Sequence, residues 1–278
     1  MRGWAVSKAV LIDTTKCIGC RGCQVACKSW NDLKGYKTAF SETWTNPVFL
    51  GNNDFTRVIF REATKPDGSL HWYFAKRQCM HCSDPACASV CPVGAMVKMP
   101  EGPVVYDDSK CIGCRYCMLA CPFGIPKFEW EAALPLVRKC TFCAERQALG
   151  LAPACVATCP TGTLLFGERD TLVQEAQRRI RGAPGKYVNH VYGQNEAGGT
   201  SWLYLAGVGF GELGFNTQVP KEPLPPLTWN YISHIPHVIA GVIAFGVGTW
   251  YVTRRQELRP RPPAAPRPRP RVEKEDQP

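Results

Sequence analysis

The chain has 278 residues, 45% apolar and 20% charged, with a formal net charge of +10; this balance excludes a disordered protein and leaves room for one large domain or two small ones. Residues 254–278 carry eight Lys or Arg against four Asp or Glu, so +4 of the excess belongs to the tail and +6 to residues 1–253. Sixteen cysteines then dominate the composition.

In chain order, apolar residues alternate from Trp4 to Ile12 and predict a strand leading into the first cysteines. No charged n-region, apolar h-region and cleavage site fit ahead of Cys17, so neither a cleaved signal nor a twin-arginine leader is expected. The first group is Cys17, Cys20, Cys23 and Cys27. In the region 28–78 that follows, FTRVIF and LHWYFAKR flank KPDGS and predict an inserted β-hairpin, which either covers the cysteine groups or docks a partner. Cys79, Cys82, Cys87 and Cys91 form the second group, joined through a short connection with a small hairpin to Cys111, Cys114, Cys117 and Cys121. The fourth group, Cys140, Cys143, Cys155 and Cys159, is stretched by AERQALGLAPA, read as a helical turn and loop.

After Cys159, PTGTLLFG predicts a strand, and DTLVQEAQRRIRG a helix with Leu172, Val173, Ala176 and Ile180 on one face. Residues 183–227 are rich in Gly, Pro and Asn, with one apolar run, WLYLAG; they read as an extended arm lying on a partner subunit. No Asp, Glu, Lys or Arg occurs from Pro223 to Thr253. Ser233 can cap a helix there, and Pro236 fits its first turn. Tyr231 and Trp250 would stand roughly 28 Å apart, against a bilayer core of about 30 Å, so a transmembrane helix is expected over 229–253 rather than a buried core helix. Ala240, Ala244 and Gly248 form a small-residue stripe suited to packing on another membrane helix. Arg254, Arg255, Arg259 and Arg261 follow at once and predict a cytoplasmic C-terminus, with the cysteine domain outside the cell membrane. Residues 254–278 read as a disordered Pro/Arg-rich tail.

The spacing of the cysteines decides their chemistry. KCIGCRGCQVAC and KCIGCRYCMLACP place thiols at i, i+3 and i+6, which wraps one compact object; disulfides would pair separate segments, and structural zinc joins two knuckles across a longer loop. The run C-x2-C-x2-C-x3-C-P is that of bacterial ferredoxins, in which the fourth cysteine of each group crosses to the other cluster. Four complete groups therefore predict four 4Fe-4S clusters in two ferredoxin modules, with no 3Fe-4S cluster. At roughly −2 per oxidised cluster with its thiolates, residues 1–253 become nearly neutral, and a nucleic-acid partner loses its support. No Gly-rich phosphate loop or dinucleotide fingerprint is present, and no catalytic residue is assigned. His81 reads as packing on or tuning its cluster, and His234 and His237 as capping or interfacial rather than haem ligands. Lys28, Lys76, Arg77, Arg115, Lys127, Arg138 and Lys139 flank the groups, either favouring reduced clusters or forming a solvated surface. The fold class is α+β: two pseudo-symmetric bacterial-type ferredoxin modules (1–167) with the inserted hairpin, then helix and arm (168–228), then the single membrane helix.

LIDTTKCIGCRGCQVACKSWNDL, RQCMHCSDPACASVCPVGAM, KCIGCRYCMLACPFGIPK and RKCTFCAERQALGLAPACVATCPTGTLLFG together resemble the four-cluster subunit of molybdopterin oxidoreductase complexes, most closely the β subunit of respiratory formate dehydrogenases. The resemblance implies that group one pairs with group four and group two with group three. One cluster, A, takes Cys17, Cys20, Cys23 and Cys159; B takes Cys140, Cys143, Cys155 and Cys27; C takes Cys79, Cys82, Cys87 and Cys121; D takes Cys111, Cys114, Cys117 and Cys91. It further implies an electron-transfer role without substrate chemistry, a catalytic partner with a molybdenum or tungsten pterin, a quinone-reducing or cytochrome b membrane partner, and export with a partner bearing a twin-arginine signal. The corresponding subunit of a nickel-iron hydrogenase, or of a polysulfide, tetrathionate or dimethyl sulfoxide reductase, is the alternative; a free ferredoxin and a zinc-stabilised binding module are more distant ones.

Overall fold

The computed structural model describes residues 7–35, 38, 42–64 and 68–257. Trp4, the Lys65–Asp67 turn and most of the Pro/Arg-rich tail lie outside the described residues. The chain divides into two units, Met1–Thr228 and Trp229–Pro278.

The first unit is organised on a strand that precedes every cysteine. β1 (Lys8–Asp13) lies between β8 (Leu164–Glu168), antiparallel to it, and β9 (Trp202–Leu205), parallel to it. A central strand covered on both faces explains the unbroken apolar run AVLI. Because side chains alternate, Val10 and Ile12 join Leu164, Trp202, Tyr204 and Phe142 in the cluster on the cysteine side. Ala9 and Leu11 face the other way, with Leu203 and Leu205, against Leu172 and Ala176 of helix α6 (Arg169–Gly182). Val173 and Ile180 flank that contact, as their helical spacing predicts. Each large apolar side chain fully buried here contributes about 1.5–3 kcal/mol.

The expected arm is corrected by this sheet. Trp202, Leu203, Tyr204, Leu205 and Ala206 are all 0% exposed, and Phe210, Leu213, Phe215 and Val219 are buried after them. The apolar residues of 202–219 therefore pack within their own chain. The physical reason is that WLYL completes a parallel pair with a strand some 190 residues earlier, Val10 facing Trp202 and Asp13 facing Leu205.

Asp13 ties the sheet to its surroundings. Its side chain, 1% exposed, accepts hydrogen bonds from Arg179 Nη1 at 2.9 Å, Tyr187 Oη at 3.0 Å and Thr15 Oγ1 at 2.7 Å. One carboxylate thus joins the end of β1, the first cysteine loop and α6.

The inserted hairpin is longer than its sequence signals imply. β2 (Thr56–Thr64) and β3 (Leu70–Gln78) pair antiparallel through nine positions, from Thr56 facing Gln78 to Thr64 facing Leu70. Phe60 and Phe74 meet edge to face across it with ring centroids 4.9 Å apart. Two short hairpins, β4 (Met96–Lys98) with β5 (Val104–Tyr106) and β6 (Lys127–Phe128) with β7 (Val137–Arg138), follow groups two and three. The cysteine groups supply short helices, α1 (Gly22–Trp30), α2 (Ala86–Ser89), α3 (Tyr116–Ala120), α4 (Ala144–Ala148) and α5 (Ala154–Ala157).

In the second unit, α8 (Ile235–Glu257) carries Pro236 in its first turn, as expected, and α7 (Leu224–Ile232) precedes it. The stretch Leu224–Arg255 is the one helical stretch among the described residues long and apolar enough to cross a membrane, and none of its most apolar window is buried. Val238, Ile239, Val242, Ile243, Phe245 and Val247 are each more than half exposed, unlike the side chains of a core helix. Ala240, Ala244 and Gly248 are exposed with them.

Candidate metal centres

Groups one and three are built by one local design, used twice. Asp13 accepts from Thr15 N and caps a 3-10 turn over Thr14–Lys16; Asp107 accepts from Ser109 N and caps another over Asp108–Lys110. The next residue is a cysteine in extended backbone, Cys17 at φ −72°, ψ 129° and Cys111 at φ −73°, ψ 127°. Gly19 (φ +69°) and Gly113 (φ +71°) then turn the chain through a left-handed conformation that glycine adopts without cost. Arg21 and Arg115, also left-handed at φ 58° and 62°, open α1 and α3. The loop therefore bends around a point, with its first three thiols directed to it.

Groups two and four repeat a second design. Pro85 and Pro153 precede α2 and α5, whose sequences ACAS and ACVA each carry a cysteine. Within CMHC and CTFC, His81 and Phe142 hold equivalent positions and share a left-handed backbone, φ 48° and 58°. The two rings stack on each other with centroids 4.9 Å apart and planes 25° apart. Such backbone costs about 1–3 kcal/mol per residue, so both modules hold strain at the point where they touch. His81 Nδ1 accepts from Val104 N at 2.9 Å, and the ring is fully buried, which with three nearby lysines holds its pKa well below the usual histidine range.

Two sets of four thiols each line a cavity of their own. Cys17, Cys20, Cys23 and Cys159 line one cavity, with Ile18, Val58, Lys76 and Leu164 around them. Cys91, Cys111, Cys114 and Cys117 line another, walled by Val93, Ala95, Met96 and Val137. Cys27 lies within electrostatic reach of Cys155, Cys143 and Cys23, and Cys140 of Cys27 and Cys79. Cys82 lies in reach of Cys79, Cys121 and Cys87. Cys23 likewise reaches Cys155, and Cys87 reaches Cys117. Cys20 and Cys114 are exposed, and Cys27, Cys79, Cys117, Cys140, Cys143 and Cys155 are buried.

The donor chemistry fits iron-sulfur clusters. Burial pushes the Cys23, Cys27 and Cys87 thiols up to about 12 and Cys117 to about 11, so their ionised forms need a cationic partner. At Cys91 and Cys159 burial is outweighed by backbone N–H groups of the turn after the following proline, and both thiols are lowered. Ala95 N reaches Cys91 Sγ at 3.2 Å, Gly113 N reaches Cys111 Sγ at 3.4 Å and Phe142 N reaches Cys140 Sγ at 3.4 Å, contacts that stabilise electron-rich sulfur.

The flanking cations separate into two kinds. Lys28 pairs with Asp54 at 3.0 Å and Arg138 with Glu129 at 2.7 Å; Arg77 lies over Phe215 and Arg115 over Trp130, and Lys127 is half-buried. Lys76 and Lys139, by contrast, are 3% and 5% exposed. Lys139 Nζ donates to the carbonyls of Val104 and Cys140, and Lys98, which sequence reasoning passed over, donates to His81 O at 3.1 Å. Lysine is rarely buried, so nothing in the sequence separated Lys76 and Lys139 from surface lysines. His190 pairs with Glu196 at 2.7 Å, away from the thiols.

Two family models match the chain, both described as a 4Fe-4S dicluster domain, one over residues 16–95 and the other over 70–169. Together with the two thiol-lined cavities they define the class: a cysteine-ligated iron-sulfur protein of the dicluster ferredoxin type. Among curated proteins, one from Nitratidesulfovibrio vulgaris is 44% identical over 92% of this chain and 69% of its own length. The nitrate-inducible formate dehydrogenase iron-sulfur subunit of Escherichia coli K12 is 38% identical over 74% of this chain and 70% of its own. The hydrogenase-2 operon protein HybA of Escherichia coli O157:H7 is 36% identical over 74% and 72%. The chain belongs to the family of formate dehydrogenase iron-sulfur subunits.

Proposed function

We propose that the chain conducts electrons within a formate dehydrogenase complex and performs no substrate chemistry of its own. It holds four 4Fe-4S clusters: A on Cys17, Cys20, Cys23 and Cys159, B on Cys140, Cys143, Cys155 and Cys27, C on Cys79, Cys82, Cys87 and Cys121, and D on Cys111, Cys114, Cys117 and Cys91. The observation that supports this reading is that Cys17, Cys20, Cys23 and Cys159 line one cavity together and Cys91, Cys111, Cys114 and Cys117 another. When bound, the clusters supply one-electron carriers. The chain fixes their positions and surrounds their sulfurs with N–H groups and buried ammonium groups. Electrons enter from a catalytic subunit with a molybdenum or tungsten pterin and leave for a membrane subunit. The exposed apolar helix anchors the complex and packs on that subunit through Ala240, Ala244 and Gly248, with Arg254 and Arg255 on the cytoplasmic side.

The test is purification of the intact complex in mild detergent with elemental analysis and paramagnetic resonance. About sixteen irons per copy of this chain, from four clusters of four, together with molybdenum or tungsten, are expected. Cys159→Ser should abolish the cluster A signal and Cys27→Ser that of B; loss of the opposite signals would reverse the pairing. The likeness to HybA favours a second reading, the same conduit in a hydrogenase complex, and nickel in place of molybdenum or tungsten would establish it.

A further inference from the structure

Lys76 lies on β3 with its side chain turned into the protein, 3% exposed. Its ammonium donates to Gln78 Oε1 at 2.9 Å and sits 4.4 Å from the centroid of the Trp202 ring. Gln78 Nε2 donates to Tyr204 Oη at 2.7 Å, and Tyr204 Oη donates back to the Lys76 carbonyl at 3.0 Å. A closed ring of hydrogen bonds between β3 and β9 therefore holds the ammonium in one place, with Trp202, Tyr204 and Gln78 all nearly inaccessible to water. Among the described residues no carboxylate lies within salt-bridge distance of it. An isolated buried cation costs several kcal/mol unless an anion balances it. The anions in reach are cysteine sulfurs: Lys76 lines the cavity of Cys17, Cys20, Cys23 and Cys159, and acts electrostatically on Cys23, Cys27, Cys140, Cys143 and Cys155.

We infer that Lys76 is a positioning residue for charge, a fixed buried cation shared by clusters A and B that raises their reduction potentials relative to C and D. The inference rests on the four-cluster reading above. Reduction adds one negative charge to a cluster, and a cation held beside it in a water-free interior favours the reduced form. Lys76 lines the cavity of A and acts on the sulfurs of B, so both clusters should feel it.

The experiment is a redox titration of the intact complex, followed by paramagnetic resonance, with components assigned through the Cys159→Ser and Cys27→Ser variants. Lys76→Met keeps the length of the side chain and removes its charge. It should weaken electron binding at A and B at least tenfold, a fall of about 59 mV for a one-electron couple, and leave C and D in place. Lys76→Arg should restore potentials near those of the parent, which a role in packing alone would not produce. Equal shifts in all four components, no shift at A or at B, or Lys76→Arg behaving as Lys76→Met would overturn the inference. If Lys76→Met does not assemble, Gln78→Glu supplies the test by setting a carboxylate against the ammonium; it must lower A and B, and an unmoved A or B refutes the role of Lys76. Four components in the parent separate that failure from failure of the four-cluster reading.

Discussion

Replacing Asp13 with Asn changes one atom pair at the junction of β1, the first cysteine loop and α6. The carboxylate is 1% exposed and receives Arg179 Nη1 at 2.9 Å, Tyr187 Oη at 3.0 Å and Thr15 Oγ1 at 2.7 Å. An amide can still accept from Thr15, but its NH2 group then faces donors, and Arg179 loses a buried counter-charge. Removing one member of a buried pair costs about 3–5 kcal/mol. Arg179 keeps Glu175 at 2.7 Å and is 17% exposed, which places the cost at the low end. About 3 kcal/mol corresponds to a fall in Tm of roughly 6–12 °C for a unit of this size. The assay is circular dichroism of the iron-loaded protein under anaerobic conditions, at one fixed scan rate because unfolding with cluster loss is irreversible. A fall below about 2 °C, the range of an ordinary surface substitution, would refute the argument. So would additive losses in an Asp13→Asn, Arg179→Met double variant, since groups in direct contact couple by about 0.5–3 kcal/mol.

Chelation of the iron should dismantle the first unit rather than empty it, because buried thiols held near pKa 12 and the unbalanced Lys76 remain behind; near-UV circular dichroism should collapse, and an iron-free protein with the parent's spectrum would contradict this. Gly193→Ala would set a Cβ 2.1 Å from Trp202 O and 2.7 Å from Thr200 Oγ1 at φ +92°, so β9 must shift; a loss on the order of 3 kcal/mol or more is expected in thermal unfolding, and an unchanged Tm would show that the strand tolerates displacement. A chain ending at Thr228 should keep its iron and stay in the supernatant after ultracentrifugation, whereas the full chain should need detergent; equal partition of the two would remove the case for an anchor.

The cysteines were legible because their meaning lies in local spacing, and the inserted hairpin, the β4–β5 hairpin and α6 followed from turn signals, short-range alternation and helical periodicity, whereas β6–β7 was not expected. What was hidden depends on contacts between distant segments. WLYL looks like any apolar run until Val10 is found beside Trp202, and the loop-like composition around it suggested an arm. His81 and Phe142 hold the same place in CMHC and CTFC, but only the fold brings their rings face to face. Lys76 gave no sign of burial, because a residue that usually snorkels to water was enclosed by side chains of β3 and β9.

The parallel pairing of β1 with β9 also carries a consequence for biosynthesis. All sixteen cysteines lie between these two strands, so the sheet is a clasp that cannot shut until the ribosome has delivered residue 205. Contacts so remote in sequence form late. Iron and sulfide can therefore be delivered to a nascent chain that is still open, and closure of the clasp afterwards seals in whatever has been inserted.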